Sequence, residues 1–463
     1  MISETVIELS RGQFAMTATQ HFLFMPVSLG LSLLLALLET LSVRDARYAA
    51  LAAFWVKLFG IGMALTAATT LILLCQFGSH WAYFAHYAGD TIGLALLTAC
   101  AGFFVTAQAT GRLLFGEQCL PGVRRALLAW TACLGCHVAL LGFVAANAWM
   151  QYPVGSGFNP QTLRLELTDP ASLFRNPVMT AKFLHAALAG YASAAGLILS
   201  VSALWRRQGR ESRAAALGHR LGGVMGLTAV LATMALGDTG IFQPNSLQAG
   251  KFAAIHGLPP DDLIAEHARR TLNGIGAYEK LQAIRDDHRE PQLLAAFAAT
   301  QADLGHALLL KHWKDGVSGA SEAQIQQTAR ASVPPSEPIR WGYRVMVGCG
   351  VLLALNFLAG IAFAFGWLGS PAILKVNFYA LPLPWLASGA GWFIAEYGRQ
   401  PWIIADALPT WLGVSLGNPS DLWTGLGLYA LAYGGLLSLA LILVKRVVTD
   451  GLGAISEENR HDA

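Results

Sequence analysis

The sequence has few charged residues and almost no net charge. Only 13% of its 463 residues are Asp, Glu, Lys or Arg, whereas 54% are hydrophobic. Soluble domains carry about 25% charged residues, so this composition excludes an ordinary soluble protein and predicts a polytopic membrane protein. The formal net charge of +3 is too small to indicate a nucleic-acid partner. The first apolar run begins near Phe22 without a small-residue cleavage site, so no cleaved signal peptide is predicted.

Cysteine is also scarce, and its distribution excludes a secreted disulfide framework. All six cysteines lie in or beside apolar segments, which is typical of packing residues: Cys75, Cys100, Cys119, Cys133, Cys136 and Cys349. The run from Cys133 to His137 fits C-x-x-C-H, the motif of covalent haem attachment. It lies inside a predicted membrane span, where the attachment machinery would not readily reach it. Small helix-packing residues are therefore the favoured interpretation.

Long hydrophobic runs predict an all-α protein with nine transmembrane helices. A span needs roughly 20 apolar residues. The nine candidates are approximately 22–43, 51–76, 91–115, 126–148, 180–205, 221–237, 345–368, 376–396 and 422–444. The sixth is short, and the eighth contains Pro382 and Pro384. The predicted divisions are helices one to six in 1–237, a long loop in 238–339, and helices seven to nine with a short tail in 340–463.

Lys and Arg in the short loops predict the orientation, because cytoplasmic loops are enriched in these residues. The basic connections place the N-terminus and the loop 238–339 outside and the C-terminus in the cytoplasm. The loop has mixed charge and helical patterning near Asp261–Arg285. Long ordered loops usually carry function, so this one is a candidate binding lid.

Ionisable and sulfur-bearing residues recur at one predicted membrane depth. They are His21, His185, Met346 beside Arg344, and Glu396 followed by Arg399. Charged residues at membrane depth are costly and often mark functional sites. His and Met together ligate a low-spin haem iron, a single His or carboxylate leaves a haem position open, and arginines neutralise propionates.

Each of these residues also has a structural interpretation. A lone histidine in a span is more often a hydrogen-bonded packing residue than a ligand, and a methionine at a helix start is usually an ordinary residue of the hydrophobic core. Glu396 and Arg399 suit a structural ion pair equally well. The residues alone therefore predict an outer-side cofactor or ion site and nothing narrower.

Several long motifs resemble subunit I of the cytochrome bd-type quinol oxidases. GWFIAEYGRQPW at 391–402 is similar to a signature of that family. The other similar stretches are ELSRGQFAMTATQHFLFMPVSLG, FWVKLFGIGMALTAATT, QFGSHWAYFAHYAGD, NPVMTAKFLHAALAGY, DLGHALLLKHW, EAQIQQTARASVP and YRVMVGCG. The resemblance therefore runs nearly from end to end.

The resemblance implies three haems near the outer face. A low-spin haem b would take His185 and Met346, with Arg344 nearby. Two high-spin haems, one haem b and the other haem d or a further haem b, would use His21 and Glu396, with Trp392 and Arg399 beside them. The resemblance leaves open which of the two ligands serves which high-spin haem.

The resemblance also implies substrates, partners and a location. The loop is similar to the short-loop branch of quinol-binding loops, with Lys251 matching a lysine implicated in quinol oxidation. His256 stands where the family usually has a glutamate. The implied partners are a homologous membrane subunit II, very small single-helix subunits, membrane quinol and oxygen. The implied location is the bacterial cytoplasmic (inner) membrane.

Three departures from the family concern protons. Ala99 and Ala107 stand where the third span usually has two glutamates, and Leu74 replaces a glutamate of the second span. Either the partner subunit supplies the protons, or they come from outside, or oxygen is not reduced efficiently. The alternatives to a terminal oxidase are a divergent paralogue that keeps haem electron transfer, and a haem-free transporter or structural subunit.

Overall fold

A computed structural model describes residues 3–116, 121–210, 212–238, 248–286 and 290–452. Long helices dominate the first half of the chain. They are α1 (Glu4–Ser42), α2 (Arg47–Ser79), α3 (Ala82–Phe115), α4 (Gly122–Gln151), α6 (Met179–Arg207) and α7 (Ser212–Asp238). Between α4 and α6 the chain forms an antiparallel hairpin of β1 (Ser156–Asn159) and β2 (Arg164–Leu167), followed by the short α5 (Pro170–Phe174).

Five helices of 5 to 25 residues lie in the long connection that follows α7. They are α8 (Ala249–His256), α9 (Asp261–Arg285), α10 (Pro291–Ala298), α11 (Leu304–Leu308) and α12 (Glu322–Ala331), with 3₁₀ turns at Gln301–Asp303 and Leu309–His312. The helix predicted at Asp261–Arg285 is confirmed with the same bounds. The predicted loop residues 239–247 and 287–289, the tail 453–463 and Cys119 lie outside the described residues.

The last part of the chain returns to long helices. Its elements are α13 (Ser336–Ala364), α14 (Ala372–Tyr379), α15 (Leu383–Tyr397), β3 (Trp402–Ile404), β4 (Leu408–Pro409), α16 (Thr410–Gly413) and α17 (Pro419–Asp450). β3 and β4 pair in an antiparallel arrangement.

Eight helices in the described part of the chain are long and apolar enough to cross a membrane, or nine if the bent pair Pro291–Ala298 and Gln301–His312 counts as one span. The predicted span 376–396 has a different form. It is divided into α14 and α15, with Ala380–Pro382 between them. Proline lacks a backbone N–H and clashes with the preceding turn, which explains the break.

Two helices begin well before the predicted spans. α1 begins at Glu4, so His21 lies in the middle of a long helix. α13 begins at Ser336, about three turns before Met346. The early part of α1 is not an apolar run because it contains Ser10, Gln13 and Thr17, yet these side chains are buried.

α1 lies at the centre of the bundle. It contacts α2, α4, α6, α15 and α17. A Cβ on Gly30 would lie 2.4 Å from the carbonyl oxygen of Gly190, so glycine allows α1 and α6 to touch closely. The buried side-chain amide of Gln13 donates to the carbonyl oxygen of Leu422, which joins α1 to α17. These contacts fix the helices that carry His21 and His185.

The α8–α12 segment packs against the chain that follows α15. A Cβ on Gly305 would lie 2.1 Å from the carbonyl oxygen of Asp406, so α11 presses directly on that backbone. Within the segment, Ser321 and Gln324 form a capping box at the start of α12. The segment is therefore built of helices and is held against the bundle at residue 406.

Candidate functional site

Glu396 is the centre of a chain of polar contacts that joins three helices. Its Oε1 accepts a hydrogen bond of 2.6 Å from Asn147 Nδ2 on α4, and its Oε2 pairs with Arg399. Asn147 Oδ1 accepts a bond of 2.7 Å from Lys182 Nζ on α6. Arg399 keeps 9% of its side-chain surface but Glu396 keeps 38%. The Glu396 side chain therefore keeps accessible surface although both of its oxygens are engaged.

Lys251 adds a third basic side chain to this group. A Cβ on Gly398 would lie 2.9 Å from Lys251 Cγ, so the lysine stem lies directly on the turn between Glu396 and Arg399. Lys251 Nζ donates to Gln248 at 3.1 Å. Burial, and then the charge of Arg399, lower the pKa of Lys251 to about 8, while Glu396 opposes the shift.

The balance of charge in this group is positive. Lys182, Lys251 and Arg399 act electrostatically on one another and on the single carboxylate of Glu396. Buried charges are costly unless they are paired. Three basic groups around one carboxylate therefore form a site suited to a ligand with further negative charge.

His21 is buried and has one ring nitrogen engaged. Its Nδ1 lies 3.1 Å from Thr69 Oγ1 on α2. A metal-ligating histidine usually uses its other ring nitrogen for such a bond, which leaves Nε2 for the metal. The adjacent Phe22 stacks on Trp392 of α15, with ring centroids 4.4 Å apart. The structure thus connects His21 to the helix that carries Glu396.

Met346 also reaches α15. Its Sδ would lie 3.2 Å from a Cβ on Gly391, so a side chain at residue 391 would crowd this sulfur. His185 lies one turn along α6 from Lys182, on the same helix face. Arg344 is exposed and covers the ring of Trp341 at 5.0 Å. Arg344 does not join the group around Glu396 in the contacts of the described residues.

A cavity of about 730 Å³ lies between the α8–α12 segment and the chain after α15. Its lining includes Lys251, His267, Arg270, Arg399 and Asp406. His256 is exposed, is absent from this lining, and packs its ring on Phe252 at 4.2 Å. Five residues along a helix correspond to a rotation of about 140°, so Lys251 and His256 face different directions.

Sequence reasoning missed Asn147, Lys182 and His267. Asn147 and Lys182 are polar residues within apolar helices, and that position was the available signal. Lys182 lies within the NPVMTAKFLHAALAGY stretch, one turn before His185. His267 lies on the predicted helix of the long loop, but no pattern in the sequence shows that it faces the same cavity as Lys251.

Ala99 and Ala107 of α3 stand where the family usually has glutamates, and the neighbouring threonines do not take over that role. Ala107 is exposed and Ala99 is half-buried. The hydroxyl of Thr98 donates to the Leu94 carbonyl at 3.0 Å, and that of Thr106 to the Gly102 carbonyl at 2.9 Å. Both hydroxyls are thus engaged with backbone carbonyls and do not ionise, so Thr98 and Thr106 do not replace the missing carboxylates.

The C-x-x-C-H run forms part of the interior of α4. Cys133 and Cys136 are buried. His137 Nδ1 lies 2.7 Å from the Cys133 carbonyl oxygen and Nε2 lies 2.5 Å from the Tyr191 hydroxyl. Both ring nitrogens of the histidine are thus engaged. Five cysteines of the described chain are free thiols: Cys133, Cys136 and Cys349 are buried, in keeping with packing roles, whereas Cys75 and Cys100 are exposed.

Comparison with known proteins gives one consistent family. The family model of the cytochrome bd terminal oxidase subunit I matches residues 9–452. Cytochrome bd-II ubiquinol oxidase subunit 1 of Escherichia coli (strain K12) is 34% identical, with 98% of each chain covered. Cytochrome bd ubiquinol oxidase subunit 1 of Bacillus subtilis (strain 168) is 29% identical, over 98% of this chain and 95% of that protein.

A solved structure supports the same fold. The bd oxidase from Geobacillus thermodenitrificans superposes with a TM-score of 0.72 and 21% identity, covering 96% of this chain and 99% of that chain. The family match spans nearly the whole chain, from the start of α1 to the end of α17. This chain therefore belongs to the cytochrome bd terminal oxidase subunit I family, a family of respiratory oxidoreductases.

Proposed function

We propose that the chain is the haem-bearing subunit of a membrane quinol:oxygen oxidoreductase. The observation that carries this proposal is the positively charged group of Lys182, Lys251 and Arg399 around Glu396, beside a cavity of about 730 Å³. The group supplies a carboxylate with free surface for iron and basic side chains for an anionic cofactor. The cavity supplies room for a quinol head group.

The donor set fits haem. His185 and Met346 would hold a low-spin haem b, with Arg344 nearby. His21 and Glu396 would hold two high-spin haems, one of them haem b and the other haem d or a further haem b, beside Trp392. When bound, these haems supply one-electron transfer and a place where oxygen is reduced.

The basic residues have a defined task in this proposal. Haem propionates are anions, and the excess of positive charge around Glu396 matches them. Asn147 holds Glu396 and Lys182 at the same time, so it fixes the position of the carboxylate. Thr69 holds the ring of His21 in the same way.

Quinol would bind in the cavity beside Lys251. Lys251 is buried and donates to Gln248 at the cavity wall. Because its pKa is lowered to about 8, it still carries most of its charge at neutral pH and can hold a quinol oxygen. His256 is a weaker candidate in this proposal, since it faces away from the cavity.

The proposed membrane arrangement counts α14 and α15 as one crossing, which gives nine. The N-terminus and the α8–α12 segment then lie outside and the C-terminus lies in the cytoplasm of a bacterial inner membrane. The apolar part of α17 is only 11% buried within this chain, compared with 72% for α6. That exposed helix surface suits lipid, the homologous subunit II or a very small single-helix subunit.

The proposal is tested on the purified complex by measuring haem spectra and quinol-driven oxygen consumption. Met346→Ala is expected to convert the low-spin haem signal to a high-spin one and to stop quinol oxidation. Lys251→Ala is expected to leave the spectrum intact and to lower quinol oxidation at least tenfold. Unchanged quinol oxidase activity in both variants would show that this function is wrong.

A second candidate is a paralogue that passes electrons through the same haems without reducing oxygen efficiently. The observation in its favour concerns α3. The side chains of Ala99 and Ala107 cannot relay protons, and the hydroxyls of Thr98 and Thr106 are bonded to backbone carbonyls. Oxygen consumption separates the two candidates. Rapid haem reduction by quinol with no oxygen turnover would favour the paralogue.

A further inference from the structure

Four side chains form a connected group on one wall of the cavity. His306 Nε2 lies 3.2 Å from Asp406 Oδ1, and Arg270 Nη1 donates to Asp406 Oδ2 at 2.6 Å. The ring of His267 lies against that of His306, with centroids 5.2 Å apart. His267, Arg270 and Asp406 line the cavity, whereas His306 is fully buried behind them.

The carboxylates of this wall are poor proton acceptors. Burial raises the pKa of Asp406, but the hydrogen bond from His306 and the charge of Arg270 outweigh burial and lower it. Glu266 pairs with Arg269 at 2.5 Å, and that bond lowers its pKa as well. Both groups are therefore engaged as anions that hold cations in place.

The basic side chains of the cavity cannot serve as acceptors either. The guanidinium groups of Arg270 and Arg399 have donors and no acceptor, and Lys251 donates to Gln248. His267 is different because it is a neutral base. Its Nδ1 is buried without a hydrogen-bond partner, so Nε2 is the nitrogen left to face the cavity that this residue lines.

We propose that His267 is a catalytic residue that accepts the hydroxyl proton of a quinol bound in the cavity, and that His306 positions it. This inference rests on the proposed function, since it requires quinol in this cavity. For each proton released, an O–H bond of the quinol breaks and an N–H bond forms at His267 Nε2, and the electron released with it would pass to the haem that His185 and Met346 would hold. His267 then releases the proton to water.

Burial and several neighbouring charges act on the protonated form of His267. Asp406 and Glu266 favour a positive His267, whereas burial, His306 and Arg270 disfavour it. The net effect lowers the pKa of His267 to about 4, so the ring is neutral before quinol binds. His306 is held by Asp406 and by the ring of Trp402 at 5.1 Å, so its position against His267 is fixed.

The test uses the whole complex with a short-chain benzoquinol under anaerobic conditions, and measures the rate of haem reduction in a stopped-flow experiment. His267→Gln keeps a polar side chain but removes the base. We expect its maximal rate to fall about 100-fold, with the quinol concentration for half-maximal rate changed less than threefold, because general bases contribute typically 10²–10⁴-fold. His86→Gln changes an exposed histidine outside the cavity and is expected to keep the wild-type rate.

A second variant separates chemistry from structure. In His267→Ala, added imidazole is expected to restore at least a tenth of the wild-type rate, whereas a merely structural histidine would not be replaced by free imidazole. The haem spectrum of each variant reports assembly.

The outcomes of these experiments separate the role of His267 from the proposed function. A wild-type rate in His267→Gln, or a loss confined to His256→Gln, overturns the role of His267 and leaves the proposed function standing. Failure of imidazole to restore His267→Ala in a complex with intact haems also overturns it. A wild-type complex that does not accept electrons from the quinol overturns the proposed function itself.

Discussion

Lys251 and Gly398 are in direct contact. The position that a Cβ on residue 398 would take lies 2.9 Å from Lys251 Cγ and 3.1 Å from Cε, both closer than ordinary carbon contacts. Gly398 stands between Glu396 and Arg399, so this contact ties the α8–α12 segment to the candidate site. The absence of a side chain at residue 398 is what gives the lysine its buried place.

Gly398→Ala is expected to displace Lys251 and to weaken quinol oxidation. The added methyl group would also meet the Ile394 carbonyl oxygen at 2.6 Å, so the turn itself must shift. We expect the quinol concentration for half-maximal rate to rise about tenfold, in line with a loss of roughly 1.4 kcal/mol. Gly417→Ala is the control, because nothing lies within 4 Å of its Cβ position.

Asn147→Leu is expected to loosen Glu396 and reduce high-spin haem content. Leucine has a similar size but cannot bridge Lys182 and Glu396, which would leave both charges with fewer partners. Partners of ligating groups typically contribute 10–100-fold in affinity. Haem per complex and the high-spin absorbance provide the measurement. Thr131→Val, on an exposed face of α4, is the control and should leave the haem content and the high-spin absorbance unchanged. A full haem complement in Asn147→Leu would contradict the bridging role of Asn147.

Arg270→Gln is expected to release α9 from the chain beyond α15. Arg270 bonds to Asp303 at 2.7 Å and to Asp406 at 2.6 Å, so it joins two parts of the chain that are far apart in sequence. The expected cost is about 1–2 kcal/mol, since Asp406 keeps 46% of its side-chain surface and the pair is partly screened by solvent. Faster amide hydrogen exchange in α9 would be the signature. Arg269→Gln removes an exposed pair on the same helix and should cause less change.

The stability of the protein is expected to fall between about pH 6.5 and pH 4 because of His267. Burial, and then His306, lower the pKa of His267 to about 4 from its usual 6.5. The unfolded chain therefore binds a proton before the folded one does, so this contribution is full above pH 6.5 and is lost as the pH falls. Thermal unfolding of wild type against pH should show this slope, and His267→Gln should flatten it. Equal slopes in the two proteins would rule out the assigned environment.

The helices were largely predictable because apolar runs are long and the bilayer sets their length. α9 was predicted at its observed bounds from its pattern of polar and apolar residues. The first half of α1 was not, since Ser10, Gln13 and Thr17 look solvent-exposed in sequence and are buried only by tertiary contacts. The break between α14 and α15 was signalled by Pro382 and Pro384.

The candidate site was predictable where its residues are close in sequence. Glu396 lies in the last turn of α15 and Arg399 follows three residues later, just beyond the helix, so their pairing is local in sequence. Asn147 and Lys182 come from other helices, and nothing in the sequence states which way they face. His256 drew attention because it lies five residues after Lys251, whereas His267 reaches the cavity through the packing of α9.

The hydrogen bond from Gln13 to Leu422 joins residues 409 positions apart. During synthesis α1 enters the membrane first and α17 last. The acceptor of the Gln13 amide, the Leu422 carbonyl, is therefore absent until nearly the whole chain has been made. A polar group without a partner in the bilayer is costly. The hydrogen bonding of the central helix α1 is therefore complete only after α17 has inserted. A chain truncated before α17 would expose this unsatisfied amide and be recognisable to membrane quality control.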